Sequence, residues 1–164
     1  LVFYMIVQYY KPNSKNTGCA FSFDIGSNIK NGEPCVYIRA IKQHSWDASK
    51  RTGSFSANAK NPDKSVSIKL NEVEIGGLIY AIEKYTDFSA FHSFDDNKTS
   101  ISFKPYAKKD GTKAYSFGVT RNSANKFGIG VEMSEAYVLK EFLSFYLQEL
   151  YIHRLQKNQS LRNK

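Results

Sequence analysis

The stretch KSVSIKLNEVEIGGLIYAIEKY, Lys64 to Tyr85, changes its period in the middle. Val66, Ile68 and Leu70 alternate with Ser67 and Lys69, the pattern of a strand with one dry and one wet face. From Glu72 onward the apolar residues Ile75, Leu78, Ile79 and Ile82 recur at helical spacing, and Asn71 with Glu74 three residues later makes a capping box. The unit is therefore strand, cap, helix. Gly76 and Gly77 inside the helix cost about 1 kcal/mol each against alanine, which predicts compensation through close approach of the helix to a sheet.

A second copy of this unit lies downstream, KFGIGVEMSEAYVLKEFLSFYL, Lys126 to Leu147, with Ser134 read as the cap. Its helix is expected to run from Ser134 to about Lys157, leaving Asn158 to Lys164 as a polar tail on one domain of residues 1–157. Each unit follows about three further alternating segments. These are Val2 to Tyr10, Cys19 to Ile25 and Cys35 to Lys42 in the first half. In the second they are Ser89 to Phe94, a segment through Ile101, Phe103 and Pro105, and Ala114 to Arg121. Turn signals at Asn31-Gly32, Asn61-Pro62-Asp63 and Asp110-Gly111 separate them. The order is four strands, helix, four strands, helix. It predicts an α+β fold of two four-stranded antiparallel sheets, each closed by a helix.

Composition bounds what such a fold does. The 164 residues suit one compact domain, and 41% hydrophobic with 23% charged residues is ordinary globular usage. No run approaches the roughly 18 apolar residues of a membrane span, and Leu1 to Tyr10 lacks the basic flank of a signal peptide. This points to a protein without a membrane partner, cytoplasmic or nucleoid-associated, or in an organelle if a transit peptide was removed. Cys19 and Cys35 are too few for a disulfide framework, and with His44, His92 and His153 they show no metal-ligand spacing. Neither a metal nor a cofactor is expected. Gly128-Ile129-Gly130 lacks the third glycine and the helix of a dinucleotide fingerprint. Two departures carry information: a net charge of +8 and 15% aromatic residues. Cations interleaved with flat side chains are what unpaired nucleic acid requires.

The order of elements and the residues within it resemble the Whirly family of single-stranded DNA-binding proteins. Ser45-Trp46-Asp47 is similar to that family's Asp-Trp pair before the first helix, and Glu72-Val73 with Gly76-Gly77-Leu78-Ile79 to its helix start. Ser100 to Pro105, then Asp110-Gly111, then Tyr115 to Val119, follow its Leu-Ser-Ile-Lys-Pro, Asp-Gly and Tyr-Phe-Val-Ser-Leu-Ser-Val run at near-equal spacing. Phe127 to Leu147 resembles its last strand and helix. Two departures stand out. Thr17-Gly18-Cys19-Ala20-Phe21 keeps the glycine and alanine of a Lys-Gly-Lys-Ala-Ala-Leu segment but neither lysine, and the stretch from Trp46 to Val66 is longer than its counterpart. The extra length predicts a hairpin arm through Lys50, Arg51 and Phe55. The resemblance implies a non-enzymatic tetramer holding single-stranded DNA along its sheet edges, with little sequence preference, in replication, repair or recombination. RNA binding and annealing on the same fold is the alternative.

The candidate contacts fall in two groups. The first is Tyr37, Arg39, Lys42, Trp46, Lys50, Arg51 and Phe55, with Lys69 on the wet face of its strand. The second is Lys104, Tyr106, Lys108, Lys109, Lys113, Tyr115, Arg121 and Lys126. Trp46 is the favoured stacking residue because its neighbours are polar and basic. A magnesium nuclease is the least favoured reading, since Asp95-Asp96 sits in a turn and Asp63, Glu72 and Glu74 lack the acid-x-lysine triplet such sites use. Self-association is expected through the second helix. Its stripe of Leu139, Phe142, Leu143, Tyr146 and Leu150 is widened by Val138, Phe145, Leu147, Tyr151 and Ile152 beyond the face one sheet can cover. A homotetramer through this helix is what the resemblance implies, with Tyr146 and Leu150 as the positions whose change to glutamate would dissociate it.

Overall fold

A computed structural model describes residues 2–163. The first half comprises β1 (Val2–Lys11), β2 (Cys19–Ser27), β3 (Pro34–Lys42), a short hairpin of β4 (Ser45–Asp47) and β5 (Thr52–Ser54), β6 (Ser65–Leu70) and α1 (Glu72–Lys84). The second comprises β7 (Phe88–Phe94), β8 (Asn97–Ala107), β9 (Lys113–Arg121), β10 (Asn125–Glu132) and α2 (Met133–Arg162). One antiparallel sheet has the order β1-β2-β3-β6 and the other β10-β9-β8-β7, with β4-β5 as a separate ribbon. These are the two four-stranded sheets and two helices that the repeat predicts, and the ribbon is the predicted arm.

Alternation sets which face of each sheet is dry. Phe21, Phe23 and Ile25 of β2 and Tyr115, Phe117 and Val119 of β9 point into one core. Phe117 joins the two sheets, its ring 5.0 Å from Phe21, 5.6 Å from Phe23 and 5.5 Å from Phe103. The helices complete the enclosure. Asn71 caps α1 as predicted, accepting from the Glu74 N–H at 2.8 Å while Glu74 accepts from the Asn71 N–H at 3.0 Å.

Three sequence expectations need correction. Ser134 does not cap α2. The helix begins at Met133, with Glu132 at the N-cap and the Glu135 carboxylate accepting the Glu132 N–H at 3.0 Å. Nor does α2 stop near Lys157, because the chain through Arg162 contains no breaker and Arg154 pins it, bridging Glu33 at 2.6 Å and Glu72 at 2.7 Å. The two α1 glycines also part company. A Cβ on Gly77 would lie 3.0 Å from the Phe88 ring, whereas one on Gly76 would meet nothing within 4 Å. Only Gly77 has the close approach that excuses it.

Three buried tyrosines spend their hydroxyls on backbone carbonyls: Tyr9 on Glu135 at 2.8 Å, Tyr115 on Ile82 at 2.8 Å and Tyr146 on Pro34 at 3.3 Å. Burial pushes the Tyr9 hydroxyl well above its ordinary range and Tyr115 and Tyr146 up to about 12. The unfolded chain therefore loses these protons first, near pH 10. Stability is expected to be full below pH 10 and to fall by about 1.4 kcal/mol per pH unit per tyrosine as pH rises toward 12. Urea midpoints measured across that window check this. A flat profile from pH 10 to 12 would refute it, and Tyr115→Phe should make the decline shallower.

Candidate nucleic-acid interface

The outer face of the first sheet carries Ile6, Gln8 and Tyr10 of β1, Ala20, Ser22 and Asp24 of β2, Tyr37, Arg39 and Ile41 of β3, and Ser65, Ser67 and Lys69 of β6, as the register requires. An outward carboxylate would normally be solvated, yet Asp24 is 0% exposed. Arg39 lies over it, its Nε–H donating to Asp24 Oδ2, and Ser22 donates to the same oxygen at 3.3 Å. The guanidinium is thus held against the sheet by a buried charge.

Gln43, which is 5% exposed, ties the start of the β4-β5 ribbon to the β1-β2 connection. Its Oε1 accepts from the N–H groups of Asn13 at 2.9 Å and Gly18 at 3.2 Å, and its Nε2 donates to the carbonyls of Asn13 and Ser45, both at 3.1 Å. Every hydrogen-bonding position of the amide is filled. At the tip, Asp47 Oδ1 accepts from the N–H groups of Lys50 and Ser49, both at 3.0 Å, and from the Ser49 hydroxyl at 2.8 Å, and these bonds, the Lys50 N–H first and the Ser49 hydroxyl second, hold its carboxyl below the usual carboxylate range. The ribbon is a fixed wall.

Three cavities mark this side of the molecule, the first of them between ribbon and sheet. One, of about 370 Å³, has Ala20 and Ser22 in its lining together with Tyr10, Phe55, Gln8 and Arg39. The next, of about 320 Å³, shares Arg39 and Ile41 with it and adds Lys60, Arg121, Ser65 and Ser67. The third, of about 440 Å³, brings Lys42, Lys64 and Lys126 beside Thr17, Gly18 and Cys19. Burial pushes the Cys19 thiol up, which keeps it protonated and unsuited to nucleophilic chemistry at neutral pH. Among the described residues, two buried side-chain nitrogen or oxygen atoms have no hydrogen-bond partner: Asp24 Oδ1 and Arg121 Nε. Both belong to this site.

The predicted contacts sort accordingly. Arg39 and Arg121, one from each half of the chain, meet at the second cavity, and Lys42 and Lys126 meet at the third. Lys42 is engaged there, donating to Asn125 Oδ1 at 2.6 Å with its ammonium 5.1 Å from the Phe127 ring centre. Phe55 is buried but lines the first cavity. Trp46 is half-buried, paired across the ribbon with Gly53, and Lys50 and Arg51 are exposed at its turn. Tyr37 is half-buried and Lys69 exposed on the same outer face.

The rest of the second group stands apart. Tyr115 is 0% exposed and stacked on Phe103 at 4.4 Å, so it cannot meet a base. Lys113 lies 5.0 Å from the Tyr85 ring centre and Lys108 is paired with Glu132. Lys104, Tyr106 and Lys109 are exposed but line none of the three cavities. Asp95 and Asp96 form the exposed β7-β8 turn, and no group of three or more metal-ligating side chains occurs among the described residues. Gln8, Tyr10, Lys60 and Lys64 were not legible as site residues. Gln8 and Tyr10 come from an edge strand and share the first cavity with Arg39, Lys60 comes from the loop before β6 and meets Arg39 at the second, and Lys64 of the same loop lines the third.

No protein-family model and no curated protein matches the sequence. Solved structures do. WHY1 from Arabidopsis thaliana superposes with a TM-score of 0.64 at 15% identity, over 99% of this chain and 94% of that one. WHY3 from the same plant gives 0.62 at 16%, over 96% and 95%, and the plant transcriptional regulator PBF-2 gives 0.58 at 16%, over 95% and 88%. All three are Whirly proteins, and the fold of this chain is Whirly-like.

Proposed function

We propose that the protein binds single-stranded DNA, largely without sequence preference, and serves replication, repair or recombination without being an enzyme. The observation that carries this reading is the cavity where Arg39, Arg121 and Lys60 meet beside Ser65 and Ser67, with Arg121 Nε buried and unpartnered. Convergent cations and hydroxyls suit a phosphate, and the aromatic-lined cavity next to it suits a base. The fold, shared with Whirly proteins over nearly the whole chain, supports the same reading.

The test is anisotropy titration of a labelled oligothymidine at several salt concentrations, with unlabelled single-stranded DNA, RNA and duplex as competitors. Affinity should fall with salt by a log-log slope of about −0.7 per phosphate neutralised. Arg121→Ala should make that slope shallower by about 0.7, and the fluorescence of Trp46 should quench on binding. Equal competition by duplex, or a flat salt response, defeats the reading. Stronger competition by RNA would transfer it to RNA.

We also infer self-association through α2, with a homotetramer as the form the fold resemblance suggests. Tyr146 and Leu150, which the sequence marks as interface positions, are 4% and 1% exposed and belong to this chain's own core. The outer row Val138, Phe145 and Ile152, spaced by seven and 57%, 36% and 49% exposed, offers the surface instead. Light scattering should give a multiple of 18.7 kDa, and Phe145→Glu should return a folded monomer. A wild-type mass equal to one chain at micromolar concentration contradicts it.

A further inference from the structure

The aromatic-lined cavity and the cationic cavity beside it share the Arg39 side chain and Ile41. We infer that together they form a one-nucleotide site, in which a single base turned out of the bound strand enters beneath the β4-β5 ribbon while its phosphate lies against Arg121. This deepens the single-strand reading and rests on it.

Its two halves demand different chemistry from one ligand. On the ribbon side, Tyr10 and Phe55 have ring centres 5.8 Å apart and inclined by 49°, which leaves the 57% exposed Tyr10 ring as a rim. Ala20 is small enough to leave a depression in the sheet, and Ser22 and Gln8 supply neutral donors and acceptors. A flat group with polar edges fits there, because its face covers the aromatic rim while its edges meet the polar groups that an aliphatic ligand would strand. On the other side the orphaned Arg121 Nε and the Lys60 ammonium call for an anion. A flat polar-edged ring joined to an anion is a nucleotide. The Gln43 clamp fixes the ribbon, so the pocket exists before the strand arrives and little ordering opposes entry.

Two variants isolate the pocket. Tyr10→Ala removes the exposed rim, and Ala20→Met fills the depression; neither changes a charge. Each is titrated with oligothymidine and with an abasic strand of equal length, which keeps the phosphates and lacks the bases. Both variants should bind oligothymidine about tenfold more weakly than wild type, the size of one lost stacking contact. Both should bind the abasic strand as wild type does, with the salt slope unchanged. Free thymidine monophosphate should compete with oligothymidine only at far higher concentration. Equal losses on both strands, or no loss on oligothymidine, overturn the base pocket while leaving single-strand binding intact. Competition by the free nucleotide as strong as by the strand overturns it in favour of a mononucleotide site. Failure of the wild type to bind either strand overturns the underlying reading and the pocket with it.

Discussion

Arg39→Ala is expected to lose about 3 kcal/mol of folding stability together with its share of binding. The reason lies beneath the side chain. Asp24 is 0% exposed and its Oδ1 has no hydrogen-bond partner, so removing the guanidinium strips a buried carboxylate of its charged partner and leaves Oδ2 the 3.3 Å bond from Ser22. The lower end of the range for breaking a buried pair applies because the Arg39 side chain is 43% exposed and water can follow it in. A pair kept for stability and a pair kept for binding then predict different things of the double variant. Replacing both residues by apolar ones of similar volume, Asp24→Leu with Arg39→Met, removes the buried charge along with its partner and is expected to restore a urea midpoint close to wild type. Its oligothymidine affinity should stay low and its salt slope shallower by about 0.7. If the double variant is as unstable as Arg39→Ala, the pair is structural. If it binds as tightly as wild type, Arg39 does not touch the strand.

What the sequence made legible follows from which interactions are local. The α1 start could be read because Asn71 and Glu74 lie three residues apart and satisfy each other's backbone groups. The α2 start could not, since Glu132 is not a favoured capping residue and the serine two positions on looked better. Its end depended on Arg154 finding Glu33 and Glu72, far away in sequence. The site divides in the same way. Arg39 was legible because a cation on the wet parity of a strand needs a reason. Tyr115 has the parity of Phe117 and Val119, which marks it as core, while its basic neighbours point to the interface; burial follows the parity. Tyr10, Lys60 and Lys64 gave no signal in one dimension, since what unites them is the stacking of β1, β2, β3 and β6 and the fold-back of the ribbon. The meeting of Arg39 with Arg121 is of this kind too, a contact between two halves that the repeat pattern describes separately.

Gly18→Ala should do more damage than its single methyl suggests. A Cβ at that position would lie 2.2 Å from the Lys11 carbonyl oxygen and 2.8 Å from Pro12 Cα, both backbone, and 2.7 Å from Gln43 Oε1. Neither backbone atom can move without shifting the β1-β2 connection, and the Gln43 amide can retreat only by giving up its bonds to Asn13 and Gly18. A loss of about 3 kcal/mol is expected, at the upper end for overpacking, with a matching fall in urea midpoint. Function should fail further than stability, because Gln43 also holds Ser45 and hence the ribbon that walls the base pocket. Under conditions where the variant remains folded by circular dichroism, its oligothymidine affinity should drop about tenfold while abasic-strand affinity changes little. Gly76→Ala is the control for glycine removal as such. A methyl there meets open space in a helix interior, so stability should rise by up to about 1 kcal/mol. A Gly18→Ala protein as stable as wild type would mean that the β1-β2 connection yields freely, and that the Gln43 clamp does not fix the ribbon.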